Sequence, residues 1–466
     1  MNYSVDAYRS LANAHHQMHL FAFFNELNPE GQKKLLEQIA GIDFNLIDRL
    51  IEEFTGDKHT GATEKLEPAP VILVPKSDVE KRAAVEAHTS GEEAFRHGRV
   101  GCFLVAGGQG TRLGLHGPKG AFCIGPITNR TLFQLHAEKI LALRRRYKAA
   151  VPWLIMTSDA NDLETKSFFE EHQYFNLGES SVRIFKQANM PAVDRSGRIL
   201  LQARDSIALN PNGHGGSIKA LFDSGSTVWL NAMGVDTLFY FQVDNVLTQI
   251  GDPTFIGYHV QAHAEMSTKV CRKRDWKEKI GVLGLRDGKL CVIEYSDLSD
   301  SVAQETTPKG ELQWWAGNIA IHVLDVSFVE RLNKGGFQLP YHKAAKAVPC
   351  VGPDGAPLAL KSGELNGIKF ETFVFDALSQ ARVTVNMETR REEDFSPVKN
   401  AVGEDSPQSA TQGMMEQYAR WLTAAGVHVP RKSDGLLDCR IEISPLTDLK
   451  GGNLNLFVKA GEDVVL

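Results

Sequence analysis

Between Phe103 and Gly120 the chain reads Phe-Leu-Val-Ala-Gly-Gly-Gln-Gly-Thr-Arg-Leu-Gly-Leu-His-Gly-Pro-Lys-Gly, the stretch whose residue types and spacing are best suited to chemistry. Gly107, Gly108 and Gly110 follow an apolar run directly. Without side chains their backbone N–H groups can approach a ligand closely and form a concave anion site. Thr111 continues the loop, and Arg112 and Lys119 place two fixed cations at its rim. Such a loop suits a polyphosphate whose charge must be neutralised while a bond to phosphorus breaks.

Two familiar glycine loops do not match. A dinucleotide fingerprint starting at Gly108 needs glycine where Leu113 stands, and a P-loop needs Gly-Lys-Ser/Thr, whereas Pro118 precedes Lys119 and Gly120 follows it. Further along, Gln187 follows an apolar run and offers a donor and an acceptor, which suits a pyrimidine edge. Pro211-Asn-Gly-His-Gly-Gly216 is a second glycine-rich loop before a helix expected near Ser217, so its amides are expected to face a ligand. Asp244 ends the apolar run Thr237–Val243 and can hold a divalent ion that bridges phosphates. Its competing use is as the N-cap of a helix from Asn245. Glu294 and Asn318 carry the carboxylate and amide that read sugar hydroxyls, and the segment 366–376 adds Lys369 with Phe370, Phe373 and Phe375 as an apolar wall.

The positioning elements are expected as follows. Helical spacing of Leu20, Phe23, Phe24, Leu35, Leu36, Ile39, Leu46 and Leu50 predicts a helical layer from Val5 to about Phe54. His15 and His19 lie one helical turn apart but lack a sequence partner of metal-ligand type, so they read as structural or solvent-facing. Residues 56–75 read as a connector and 77–96 as a second helical piece. Thr131-Leu-Phe-Gln134 has the form of a capping box before a helix to about residue 147, and Arg144, Arg145 and Arg146 would complement that helix's negative pole. Runs at 153–157, 182–185 and 237–243 read as buried strands alternating with helices, which predicts a doubly wound α/β sheet with ligands beyond its carboxyl ends. Longer extended segments are expected at 255–264, 280–285 and 290–295, the last two joined by a hairpin at Arg286-Asp-Gly-Lys289. An amphipathic helix at 411–425 and a strand near 439–443 complete the chain. The expected division is a helical region 1–97, a catalytic domain 98–393 and a small C-terminal domain 394–466.

With 466 residues and a net charge of −6, the chain has ample length for a large core and no global field that favours nucleic acid or an anionic membrane. Its six cysteines form no Cys-x-x-Cys pair, which argues against a zinc ribbon or disulfide scaffold. No apolar run reaches membrane-spanning length and the first residues do not form a signal peptide, so a cytoplasmic protein acting on small anionic molecules is expected.

Gly-Gly-x-Gly-Thr-Arg-Leu followed by Pro-Lys-Gly resembles the signature of the sugar nucleotidyltransferases, and more narrowly that of the UDP-N-acetylhexosamine pyrophosphorylases. The likeness extends over nearly the whole chain, including Phe-Phe-Asn-Glu-Leu at 23–27. It implies a GT-A-like nucleotidyltransferase core and a Mg2+-dependent reaction of UTP with a sugar 1-phosphate to give UDP-sugar and pyrophosphate. By the same resemblance Gly107, Gly108 and the loop through Gly110, Thr111 and Arg112 hold the UTP phosphates together with Lys119, and Gln187 with Gly213 reads uracil. Asp244 would hold Mg2+, Glu294 and Asn318 would face the hexose, and Lys399 would contact phosphate. His214 departs from the asparagine of the acetylhexosamine enzymes toward the Gly-His-Gly of UDP-glucose and broad UDP-sugar enzymes. The hexose-side segments favour N-acetylglucosamine 1-phosphate over glucose 1-phosphate. A glycosyltransferase on the same kind of sheet would need an Asp-x-Asp motif, which the sequence lacks. A non-catalytic nucleotide-sugar-binding module would be expected to lose Lys119 or Asp244, and both are present.

Overall fold

The computed structural model describes residues 4–55, 65–337, 339–447 and 458–466. Two compact units emerge: a smaller one of Met1–Thr63, Gln187–Ser217 and Leu339–Val374, and a larger one of Glu64–Lys186, Ile218–Gln338 and Phe375–Leu466. They replace the expected boundaries at 97/98 and 393/394. Apolar side chains decide the matter, since Met190, Val193, Ile199, Leu201, Ile207 and Phe370 share one core with Leu20, Leu35, Ile39, Phe44 and Leu50. Likewise Ala410, Met414, Tyr418, Leu422, Ile441 and Ile443 belong to the core under the main sheet.

Among the described residues the main sheet of the larger unit has ten strands: β1 (Leu66–Pro68), β2 (Val100–Val105), β3 (Trp153–Thr157), β4 (Val182–Lys186), β5 (Thr237–Gln242), β6 (Met266–Arg272), β7 (Val282–Arg286), β8 (Lys289–Ile293), β9 (Ala316–Asp325) and β10 (Thr384–Thr389). Its path runs β1-β7-β9-β5-β2-β3-β4, with β8 on β7 and with β6 joining β9 to β10. From β5 to β4 the strands are parallel. Parallel strands are covered on both faces, which explains the unbroken apolar runs of β2, β3 and β5 and brings their carboxyl ends to one edge. The expected hairpin is present, with Asp287 (φ 49°) and Gly288 (φ 76°) between β7 and β8. Part of the expected connector, 56–64, lies outside the described residues; the rest contains β1, which pairs with β7.

Helix α1 (Asp78–Arg96) starts at a Ser77 capping box, and α2 (Leu132–Tyr147) starts at Thr131, whose hydroxyl accepts from the Gln134 N–H. The second half of the box expected there is missing, because the Gln134 amide donates to Glu138 instead. Arg144 also differs from expectation: its guanidinium donates to the Val151 and Leu177 carbonyls beyond the helix. The segment 255–264, expected as extended, is largely helical. Pro253–Gln261 forms α3 because Asp252 caps it, accepting from the Thr254 N–H at 2.9 Å, and Pro253 suits the first turn. This helix crosses α1 at two glycines: a Cβ on Gly91 would lie 1.8 Å from the Pro253 carbonyl oxygen, and one on Gly257 would lie 1.6 Å from that of Ala87. The last helix, α4, spans Pro407–Ala424, with a short strand at Arg440–Glu442.

In the smaller unit the helices Val5–Ala14, Pro29–Ala40 and Phe44–Thr55 bury the expected apolar faces. Buried Gln17 ties in the 187–217 segment, donating to the Gly197 carbonyl and accepting from the Ile199 N–H. His15 does have a carboxylate partner, Asp48 at 2.6 Å, and His19 Nε2 contacts the Ile199 carbonyl at 2.7 Å. Both are structural. Among the described residues no helix is long and apolar enough to cross a membrane.

Candidate functional site

The glycine loop leaves the carboxyl end of β2 and folds on itself. The Gly110 N–H donates to the Gly117 carbonyl and the Lys119 N–H to that of Gly108, while Thr111–Leu113 makes a 3-10 turn. Among the described residues the N–H groups of Gly107, Gly108, Gln109, Thr111 and Arg112 donate to no protein acceptor. Gly110 is therefore a correction to the expected phosphate donors, since its amide is spent inside the loop. Its bareness serves packing: a Cβ there would lie 2.7 Å from the Leu115 Cβ, whereas one on Gly108 would meet nothing within 4 Å. Two residues beyond β3 brace the loop from behind. The Asn161 side-chain amide donates to the Ala106 and Gly108 carbonyls, and the Ser158 hydroxyl donates to that of Gly107. No spacing rule pointed to Asn161, because its partners are backbone carbonyls on another strand end.

At the rim, Lys119 Nζ lies 2.8 Å from Asp244 Oδ2, both side chains mostly buried at 15% and 13% exposure. No helix begins at Asn245; the next helix is capped by Asp252, so the capping use of Asp244 falls away. Instead the Asp244 carbonyl accepts from the Val398 N–H at 2.9 Å. Exposed Lys399 therefore leaves the chain one residue from the Asp244 contact, with its Nζ 5.7 Å from the centre of the Phe395 ring. Beneath Asp244, fully buried His136 holds the Val243 carbonyl through Nε2 at 3.0 Å. Glu294 and Asn318 both approach Gly281, whose carbonyl accepts from the Asn318 N–H and whose Cβ would lie 3.3 Å from Glu294 Oε1.

In the smaller unit Gln187 is only 7% exposed, and its Oε1 has no hydrogen-bond partner among the described residues. Gly213, at φ 83°, passes so close to Thr372 that a Cβ would lie 2.4 Å from the Thr372 carbonyl oxygen. The expectation that this loop's amides face a ligand is contradicted for three of them. The Gly215, Gly216 and Ser217 N–H groups donate to the Thr372, Gly213 and His214 carbonyls. His214 Nδ1 accepts from the Val374 N–H at 3.1 Å and its ring lies 5.2 Å from that of Phe373. Lys369 lies on the strand Gly367–Glu371, and burial lowers its pKa. Phe370 is a correction: at 2% exposure and stacked on Phe54, it belongs to the core and offers no wall to a ligand.

Burial pushes His136 down to about 3 and His214 and His259 down to about 4. These groups are neutral when folded and bind protons on unfolding below about 6.5, so their contribution to stability is complete above that pH and is lost as the pH falls toward 4. The melting temperature is expected to drop across that window. A flat profile in thermal melts between pH 6.5 and 4 would contradict the burial of all three.

The sequence family described as UTP–glucose-1-phosphate uridylyltransferase matches residues 46–405. The chain belongs to that family of uridylyltransferases. Within it, the chain is 34% identical over 458 residues to UDP-N-acetylglucosamine diphosphorylase 2 of Arabidopsis thaliana, covering 94% of this chain and 88% of that one. The crystal structure of the UDP-N-acetylglucosamine pyrophosphorylase of Trypanosoma brucei, solved with an inhibitor, superposes with a TM-score of 0.81 at 28% identity, covering 96% of this chain and 94% of that one. The UDP-glucose pyrophosphorylase of Leishmania major shares the fold at a TM-score of 0.60 and 16% identity, covering 88% and 82%. The structural likeness is thus higher to the UDP-N-acetylglucosamine pyrophosphorylase, and the α/β nucleotidyltransferase fold agrees with the chain's own strand order.

Proposed function

We propose that the protein transfers the uridylyl group of UTP to N-acetylglucosamine 1-phosphate and releases pyrophosphate, with Mg2+ held at Asp244. The observation that carries this reading is the glycine loop, whose unpaired amides stand beside the mostly buried Lys119–Asp244 ion pair. Among the described residues no cluster of three or more His, Cys, Asp or Glu could hold a metal. One carboxylate at the strand end still fits Mg2+, which keeps several waters and takes its remaining ligands from substrate phosphates. Bound there, the ion would neutralise developing phosphate charge.

The residues of the chain divide the remaining work. The amides of Gly107, Gly108, Gln109, Thr111 and Arg112 hold the triphosphate, and the Arg112 guanidinium adds charge to the same loop. Lys119 is held by Asp244 before substrate arrives; an incoming phosphate competes for the ammonium and leaves the carboxylate to a cation. Gln187 presents its open acceptor to the uracil N–H. The attacking sugar phosphate is already an anion, so positioning and charge neutralisation suffice without a general base. Lys399 and the Glu294–Asn318 pair are assigned to phosphate and hexose.

The test is a panel of sugar 1-phosphates with UTP, read by pyrophosphate release. N-acetylglucosamine 1-phosphate should exceed glucose 1-phosphate by about 10- to 200-fold in kcat/KM, the worth of an acetamide methyl in an apolar pocket. Higher efficiency with glucose 1-phosphate would reverse the assignment. His214 braces its own loop through Val374, and asparagine can accept the same N–H. His214→Asn is therefore expected to leave the sugar ratio unchanged, and a widened ratio would give the imidazole a part in sugar choice.

A further inference from the structure

We propose that the buried Lys269–Asp394 pair is a positioning device that sets Asp244 and Lys399 against each other. The proposal rests on the functional reading above. Lys269, on β6, and Asp394 are both wholly buried, with Nζ 2.7 Å from Asp394 Oδ2 and 2.7 Å from Asp252 Oδ2. Burial opposes the charge on Lys269, but the two carboxylates outweigh it and hold its pKa above the ordinary value. The β6–β9 ladder is irregular beside it, between Thr268 and Val270, and the facing Ala320 has φ 54°.

Two acceptors of Asp394, its Oδ1 and its backbone carbonyl, reach the segment that follows Asp244. Its Oδ2 also accepts from the Thr389 hydroxyl at 2.6 Å, and its Oδ1 from the Gln249 N–H at 2.9 Å, on the turn that follows Asp244. The Asp394 carbonyl accepts from the Asn245 side-chain amide at 2.7 Å, and Asn245 Oδ1 accepts from the Ser396 N–H at 2.9 Å. Two residues further on, the Val398 N–H reaches the Asp244 carbonyl. Two segments distant in sequence, 244–249 and 394–398, are thereby laced side by side, one ending in the carboxylate and the other in Lys399. A buried ion pair is weak support for stability, since apolar residues of similar volume serve as well. Its worth here is geometric, because a displacement of about 1 Å at a reacting group costs on the order of a hundredfold in rate.

The test compares Asp394→Asn with the paired replacement Lys269→Met/Asp394→Leu, which leaves no buried charge facing an apolar partner at these two positions. Thr389→Val, which keeps every charge, carries the test if the first two do not fold. In folded variants the amides of Ser396 and Val398 should exchange hydrogen at least about tenfold faster, while those of β2 and β3 keep their protection. The value of kcat should fall about tenfold or more, with KM for UTP little changed. A purely structural pair would lower the melting temperature without splitting kcat from KM. Unchanged exchange at 396–398, or unchanged kcat, in a folded variant overturns the proposal. If the wild-type chain lacked the reaction, exchange would still report on the lacing, so the two failures are separable.

Discussion

Lys119→Ala should lower kcat by about a hundredfold, the cost of removing a preorganised donor aimed at developing charge, equivalent to about 2.7 kcal/mol. The ammonium is 2.8 Å from Asp244 and only 15% exposed, so its position is set before substrate arrives and little reorganisation is needed when phosphate charge grows. The same contact separates two explanations of a loss. If Lys119 served only to keep Asp244 neutralised, the variant would free a carboxylate for a cation, and Mg2+ would saturate the rate at lower concentration with kcat preserved. If Lys119 stabilises the transition state, kcat falls whatever the Mg2+ concentration. Steady-state rates across a Mg2+ titration distinguish these outcomes, and unchanged kcat with only a raised KM for UTP would end the catalytic role.

The parts of the fold legible in the sequence are those carried by local pattern. β2, β3 and β5 are continuous apolar runs buried on both faces, and the Asp287-Gly288 turn needs two residues with positive φ, which the letters themselves announce. Where a tertiary contact outweighs pattern, the sequence misleads. The segment 255–264 reads as strand because Phe255, Ile256 and Tyr258 are apolar or aromatic, yet Asp252 and Pro253 start a helix whose Gly257 lies against Ala87. The domain boundaries fail for the same reason. Residues 187–217 and 339–374 are remote in sequence from the N-terminal helices but share their core.

The site divides along the same line. Glycines followed by Arg112 and Lys119 stand out by residue type and spacing and Asp244 by its place at the end of an apolar run, and the structure brings Lys119 and Asp244 to 2.8 Å. The groups that hold these residues in place are hidden for a physical reason. Asn161, Ser158, His136 and Asp394 act on backbone carbonyls or N–H groups from remote segments, and a backbone partner leaves no trace in the letters. Gly110 and Phe370 show the converse. Both are of a type suited to ligand contact, but one spends its amide on Gly117 and the other is packed on Phe54.

Asp244→Asn tests the metal assignment with the least disturbance of shape. The asparagine oxygen can still accept from Lys119, and the backbone carbonyl that receives the Val398 N–H is untouched, so the loop, the lysine and the Lys399 segment should keep their places. What disappears is one negative charge, which a hard cation needs from its protein ligand. Among the described residues no group of three or more His, Cys, Asp or Glu is placed to hold the ion instead. Activity should therefore fall by about a hundredfold or more at ordinary Mg2+ and recover only in part at much higher concentrations. The melting temperature should stay close to that of the parent. Relief of the Lys119–Asp244 contact acts in the opposite direction on phosphate, because a lysine no longer paired with a full charge binds UTP at least as well. The signature is thus a raised Mg2+ requirement with an unchanged or lowered KM for UTP. A Mg2+ titration that overlays the parent's would leave Asp244 as a partner of Lys119 and remove it from the metal site.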